Sequence, residues 1–267
     1  MKLVAPAKLN LILKIVGKLP NNYHLLEMLN VKIDLEDIIE INESKETYIK
    51  YDKYKIDQNE DTIYKTINDF ITKYHLPNQN VYIIKNIPVG AGLGGISTDI
   101  ATIINFLNEK YKLNLTLQEL IDFVKPYGTD ICYLLTDSPA IVKGVGELIE
   151  QISLLKDFKI LIINPNVKIE TKSIYNKVKN YKPFGLTKEY IEANQLKNIL
   201  ENDFEEIVFN EYKEIKKLRE DLLNYLENVH MSGSGSTLFS IIENEDDTIR
   251  KLKEKYPDYL IEVHNIK

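Results

Sequence analysis

The sequence predicts an α+β protein, and three observations carry that expectation. Much of the first fifty residues alternates apolar and polar positions at the period of two that a half-buried strand requires. Residues 81–107 pass from a β-rich segment through a cluster of glycines into apolar positions at helical spacing. The second half carries long stretches of helical period with short apolar segments among them. Helices segregated beside mixed strands, rather than alternating with them one by one, favour α+β.

Residues 2–16 read as a strand with Leu9, Leu11, Leu13 and Ile15 on one face, and Pro6 suggests a bend or an edge. A polar turn at 19–22 leads to a second strand over 30–42 and a third over 47–51. Asp61 is a suitable N-cap for a helix bearing Ile63, Ile67, Phe70 and Ile71. After the strand Val81 to Ile84 come the glycines, then a helix through Ile100, Ile103, Ile104 and Leu107. Thr116 and Glu119 form a capping box for a helix running to Val124, which Pro126 ends. A strand is expected at 140–142, a turn at Gly144 and Gly146, and a buried strand at 158–163. Single helices are expected over 171–180, 187–202 and 204–228. Short strands at 229–231 and 238–242, a helix at 248–256 and a strand at 260–263 complete the chain.

A chain of 267 residues suits one large or two small domains. The loop-like stretch 153–157 sets the expected division, 1–156 and 157–267. Hydrophobic residues at 44% and charged residues at 28% are ordinary for a globular protein. A net charge of −6 disfavours nucleic acid as a partner. No apolar run approaches the length of a membrane span, and the first residues read as strand rather than as a signal or transit peptide. The lone Cys132 excludes an internal disulfide and fits a reducing compartment, so a cytoplasmic location is expected.

The stretch 88–101, PVGAGLGGISTDIA, places four glycines within six residues between a strand and a helix. Glycines permit positive φ and close backbone approach, and a helix start presents free N–H groups and the positive end of a dipole to an anion. A phosphate site is one reading, with Ser97 and Thr98 adding hydroxyls where a phosphate or its magnesium would sit. A plain turn before a core helix is the other. Gly90, Gly92 and Gly95 also satisfy G-x-G-x-x-G, and Glu109 has about the spacing of the ribose-binding acid in a dinucleotide fold. No second buried strand follows the helix, however, and no G-K-S or G-K-T follows the glycines.

Three segments taken together, Pro6-Ala-Lys8-Leu-Asn10-Leu, the glycine loop and Met231-Ser-Gly-Ser-Gly235, resemble in order and spacing the GHMP kinase superfamily of small-molecule kinases. Tyr23-His24 and Gly128-Thr-Asp130-Ile narrow the likeness to its 4-diphosphocytidyl-2-C-methyl-D-erythritol kinases, across essentially the whole chain. The resemblance implies a two-domain fold with the active site in the inter-domain cleft. It implies transfer of the γ-phosphoryl of ATP to the 2-hydroxyl of a cytidyl-diphosphate substrate in non-mevalonate isoprenoid synthesis.

The resemblance also carries roles to individual residues. Asp130 matches the catalytic carboxylate and Lys8 the lysine that holds it. Pro88, Val89, Gly90, Ala91, Gly92, Leu93, Gly94, Gly95, Ile96, Ser97 and Thr98 match the ATP-binding loop. Asn10 matches a position beside the substrate hydroxyls. Tyr23, His24, Thr171 and Tyr175 match the cytidyl site, while Gly233, Ser234 and Gly235 match a loop near the phosphates. Read without the family, each has a bland alternative: a cap for Asp130, a strand end for Lys8, a core aromatic for Tyr175. Magnesium is expected with ATP; its ligand set is unassigned, with Ser97 as one candidate. The expected state is a monomer or weak homodimer. Cys132, Ala91, Ile96 and Thr62 depart from the family pattern, and Ile96, being β-branched, is expected at helical φ inside the helix. Rival functions are a homoserine or mevalonate kinase, a non-catalytic nucleotide sensor of the same fold and a dinucleotide oxidoreductase.

Overall fold

A computed structural model describes residues 1–137, 139–153, 158–243 and 246–267. Its helices and mixed strands make it an α+β protein, as the sequence predicts. The expected division at 156/157 lies outside the described residues. The chain forms two compact units interleaved in sequence. The first comprises Met1–Lys8, Leu35–Pro88 and Gly94–Asp137; the second comprises Leu9–Asp34, Val89–Leu93 and Ser138–Lys267. Strands β1 (Lys2–Lys18) and β2 (His24–Glu43) therefore contribute residues to both.

In the first unit β3 (Tyr48–Tyr51) runs parallel to β4 (Gln79–Ile84), and β4 runs antiparallel to β2 in a register from Ile38↔Ile84 to Glu43↔Gln79. Val81 and Ile83 are fully buried while Tyr82 between them is 37% exposed, the alternation of a sheet with one covered face. Four helices complete the unit: α1 (Thr62–Lys73), α2 (Gly95–Lys110), α3 (Leu117–Val124) and α4 (Thr129–Leu134). Asp61 caps α1 by accepting from Ile63 N at 2.8 Å, and Thr116 with Glu119 forms the expected capping box of α3. Helix α2 packs against α1 and α4, and its Ile100, Ile103, Ile104 and Leu107 are fully buried. The next element after α2 is α3, so the second strand of a dinucleotide-binding unit is absent there. Pro6 does not interrupt β1, and of the two expectations for it, a bend or an edge, the structure gives the edge. Among the described residues β1 pairs on its far side with β8 (Glu201–Asn202) at Ile12 and Leu13 alone, and a proline without an N–H is tolerated along an edge.

In the second unit β2 pairs antiparallel with β5 (Ala140–Gly144), which pairs with β6 (Leu148–Gln151). A separate antiparallel sheet has the order β11 (Leu260–Asn265), β7 (Lys159–Asn164), β10 (Leu238–Ile242), β9 (His230–Met231). β7 and β10 form its middle, and Ile160 to Ile163 are fully buried. Three expected helices are cut shorter. The stretch 171–180 gives only α5 (Thr171–Tyr175). The stretch 187–202 becomes α6 (Lys188–Ala193), a 3₁₀ turn at Leu196–Asn198 and strand β8. Here pairing overrides period: Asn202 Nδ2 donates to the carbonyls of Met231 and Gly233 at 2.7 and 2.8 Å. The stretch 204–228 divides into α7 (Glu205–Glu211) and α8 (Lys213–Leu222) at the non-helical Tyr212, φ −102° and ψ 80°, with no glycine or proline to mark the break. Helix α9 (Asp246–Lys255) packs against β11. Among the described residues no helix is long and apolar enough to cross a membrane.

Candidate active site

In the first unit two segments far apart in sequence bring Lys8 and Asp130 together. Lys8 lies in β1 between buried Ala7 and Leu9 and is 4% exposed. Asp130 is the second residue of α4, and its side chain is 42% exposed. Lys8 Nζ stands 3.6 Å from Asp130 Oδ2. An ammonium at this distance fixes the direction of the carboxylate, whose open side can accept a proton from a ligand hydroxyl.

The same unit holds the helix that follows the glycine loop. Gly94 is the N-cap of α2 at φ 71°, and a Cβ there would stand 2.8 Å from Lys8 Cγ. Glycine is thus needed both for the left-handed backbone and for the passage of Lys8. Ile96 is inside the helix, as expected, and 45% exposed. Ser97 is half-buried in the first turn, and the Thr98 hydroxyl donates to the Pro6 carbonyl at 2.7 Å, tying the helix start to β1. The first-turn N–H groups of α2 have no intrahelical acceptors, which makes them donors for an anion.

Close to this helix start lies a group that sequence reasoning missed. Lys85 Nζ donates to Asp37 Oδ2 and, at 2.6 Å, to Asp99 Oδ2; the three side chains are 3%, 0% and 0% exposed. Asp37 Oδ1 accepts from the backbone N–H groups of Asn86 and Ile87 at 2.6 and 2.8 Å. Burial pushes the Asp99 carboxyl up to about 8, with Lys85 opposing the shift and Asp37 adding to it. Burial lowers the Lys85 pKa, but the two carboxylates outweigh it and the net direction is upward. Each of the three looks in sequence like an ordinary surface charge; the only signal is a charged residue within or beside an apolar element.

In the second unit Gly92, at φ 77°, passes so close to Ser232 that a Cβ would run into the Ser232 carbonyl. The Ser232 hydroxyl donates to Gly92 O at 3.0 Å and accepts from Asn10 N at 3.3 Å. Asn10, 1% exposed, donates through Nδ2 to Asn30 Oδ1 at 2.7 Å. The expected Asn10 and the segment Met231 to Gly235 therefore meet the middle of the glycine loop in one hydrogen-bonded group, together with Asn30 and Asn202, which were not foreseen. Asn30 is a polar residue in a buried strand, and that was its available signal. Thr171 and Ser234 are joined by a hydroxyl–hydroxyl hydrogen bond of 2.7 Å.

Aromatic rings form the other group in this unit. His24 and Tyr175 have ring centroids 5.2 Å apart, and Tyr175 meets Phe204 edge-on at 4.7 Å. Tyr181, not foreseen, is 5.9 Å from His24 and brings its hydroxyl to within 3.4 Å of Nε2. Tyr23, next to His24 in the chain, is 55% exposed. Burial and the charge of Lys18 lower the His24 pKa, which keeps the ring neutral near pH 7. A neutral imidazole can both donate and accept, as reading the polar edge of a base requires.

Residues 61–144 match the family model of the GHMP kinases N terminal domain, and residues 184–258 match that of the GHMP kinases C terminal. A 4-diphosphocytidyl-2-C-methyl-D-erythritol kinase of Bacteroides fragilis is 32% identical over 250 residues, covering 90% of this chain and 91% of the relative. The kinase of the same name from Clostridium beijerinckii is 32% identical over 266 residues, with 91% of each chain covered. Among solved structures, that of a 4-(cytidine 5'-diphospho)-2C-methyl-D-erythritol kinase has a TM-score of 0.83 at 24% identity, covering 100% of this chain and 99% of the other. Methanococcus jannaschii mevalonate kinase has a TM-score of 0.65 at 18% identity, covering 100% and 98%.

Proposed function

The chain belongs to the GHMP kinase family of ATP-dependent small-molecule kinases, and we propose that it phosphorylates the 2-hydroxyl of 4-diphosphocytidyl-2-C-methyl-D-erythritol, a step of non-mevalonate isoprenoid synthesis. The observation that carries this choice of substrate is the His24–Tyr175–Phe204 ring cluster with Tyr23 exposed beside it. A cytosine offers a flat face to stack and a polar edge to bond, whereas homoserine and mevalonate have no ring. The names of relatives 32% identical over nine tenths of the chain support the same reading.

In this proposal the glycine loop and the start of α2 hold the phosphates of ATP, with the segment Gly233–Ser234–Gly235 beside them. Tyr23, His24, Thr171 and Tyr175 bind the cytidyl end, and Asn10 orients the hydroxyls. Asp130 accepts the proton of the attacking 2-hydroxyl while Lys8 holds the carboxylate in place. The hydroxyl oxygen forms a bond to the γ-phosphorus as the bond to the bridging oxygen breaks, leaving ADP. Positioning and charge stabilisation supply most of such a rate enhancement.

Magnesium would neutralise the phosphates. Among the described residues no three His, Cys, Asp or Glu converge as a metal cage. That donor set fits a cation held mainly by nucleotide oxygens, with the Ser97 hydroxyl as the protein's candidate contribution. We place the protein in the cytoplasm, as a monomer or weak homodimer. The 156/157 division is our proposed domain boundary and falls between the two family-model matches.

The test measures ATP consumption with the cytidyl substrate, homoserine and mevalonate in parallel, for wild type and Asp130→Asn. Turnover is expected only with the cytidyl substrate, with kcat in the variant lowered roughly 10²- to 10⁴-fold. Preference for homoserine or mevalonate would replace the substrate assignment. ATP binding without turnover of any acceptor would favour a sensor, and undiminished turnover in the variant would remove Asp130 as the base.

A further inference from the structure

We propose that Asp37, Lys85 and Asp99 are positioning residues for the nucleotide-phosphate loop, acting as one buried clamp on both of its ends. The proposal rests on the reading that the loop holds ATP. The first end is the chain leading into Pro88. Asp37 Oδ1 takes the N–H groups of Asn86 and Ile87, the last two before a proline that has none to offer. The backbone of Lys85 is fixed as well, its N–H by Asp52 Oδ1 at 3.0 Å and its carbonyl by Lys53 Nζ at 2.8 Å. The second end is the start of α2. Asp99 is the fifth residue of that helix and accepts from Lys85 Nζ at 2.6 Å, while its Oδ1 is buried with no hydrogen-bond donor among the described residues. Lys85 Nζ also stands 3.3 Å from where a Cβ on Gly95 would lie. One ammonium thus registers the segment before the loop against the helix after it.

Stability does not account for such a group. Replacing a buried ionic group by apolar side chains of similar volume is often neutral or stabilising, because desolvated charges recover little net energy from one another. What apolar packing cannot supply is direction. Backbone N–H groups recognise phosphate only when held within a fraction of an ångström of the productive geometry. The triad supplies that constraint without touching the ligand.

Separating stability from positioning gives the test. The triple variant Asp37→Asn/Lys85→Met/Asp99→Leu removes the bridge and all three ionisable groups together, while an amide oxygen at position 37 can still accept from the N–H groups of Asn86 and Ile87. It is expected to melt at or above the wild-type temperature, yet to bind a non-hydrolysable ATP analogue about tenfold more weakly or worse. KM for ATP should rise in parallel while KM for the acceptor stays within about twofold. Should the triple variant fail to fold, the isosteric Asp99→Asn serves instead, with an expected loss of about threefold or more in analogue affinity. Wild-type affinity in either folded variant overturns the proposal. Wild type and Gly94→Ala run alongside. A wild type that does not bind the analogue removes the ATP reading itself. Binding lost in Gly94→Ala but kept in the clamp variants removes only the clamp.

Discussion

Tyr175 is the residue at which the bland and the functional readings of the sequence diverge most. A tyrosine on a short helix is ordinarily a core aromatic, and its edge-on contact with Phe204 at 4.7 Å is a core contact. Its 5.2 Å approach to His24, which opens β2, gives the ring a second partner. If Tyr175 stacks on the base, Tyr175→Ala removes an interaction of roughly 1–3 kcal/mol. The KM for the cytidyl substrate then rises about fivefold to a hundredfold while KM for ATP is unchanged. Steady-state kinetics with each substrate varied in turn checks this, and equal rises in both constants would mean general damage to the second unit. Lys8 and Asp130 were legible only through their motifs, because the fold supplies their 3.6 Å meeting. Asp37, Lys85 and Asp99 were not legible, since no local pattern links a strand, a strand end and a helix interior.

Among the elements, the helices with side-chain start signals at Asp61 and Thr116 begin where expected, as do most strands, whereas β8, created by pairing inside a stretch of helical period, was read as helix. Asp61 before α1 and Thr116 before α3 are side-chain caps whose chemistry resides in a few neighbouring residues. Helix α2 starts instead at Gly94, where the backbone conformation does the work. The stretch 187–202 carries a helical period, yet its end joins β1 as β8 because Asn202 ties the chain to the carbonyls of Met231 and Gly233. No window of local sequence contains that information. The Asp61 cap makes a quantitative expectation possible. Its Oδ1 accepts from Ile63 N at 2.8 Å and Oδ2 accepts from the Tyr51 hydroxyl at 2.7 Å, in a residue only 5% exposed. Asp61→Ala should lower stability by about 1–2 kcal/mol through the cap, and Tyr51→Phe, which leaves the buried Asp61 Oδ2 without that donor, should cost about 1–3 kcal/mol. Urea unfolding measures both, and a cap variant within experimental error of wild type would mean that the helix start is held by packing alone.

For the molecule as a whole, the dependence of stability on pH follows from groups held away from their solution behaviour. His230 in β9 is the clearest case: burial and the charge of Arg219 lower its pKa from 6.5 to about 4, with Glu201 pulling the other way. Its Nδ1 has no hydrogen-bond partner among the described residues and lies 3.7 Å from Glu205 Oε1, which itself accepts from Met231 N. Because the folded pKa is depressed, the unfolded chain binds the His230 proton first. The contribution is fully present above about pH 6.5 and is lost as pH falls toward 4, reaching about 3 kcal/mol if nothing offsets it. Glu205 does offset part of it, since burial raises its carboxyl pKa and the folded state takes up that proton earlier. The difference between wild type and His230→Gln isolates the histidine, because Glu205 is common to both. Melting temperatures measured from pH 7.5 down to 4.5 should fall more steeply for wild type, with the two curves converging at the acid end. Parallel curves across that range would mean that His230 can be protonated without disturbing the fold. The start of the Met231 to Gly235 segment would then not depend on a neutral ring.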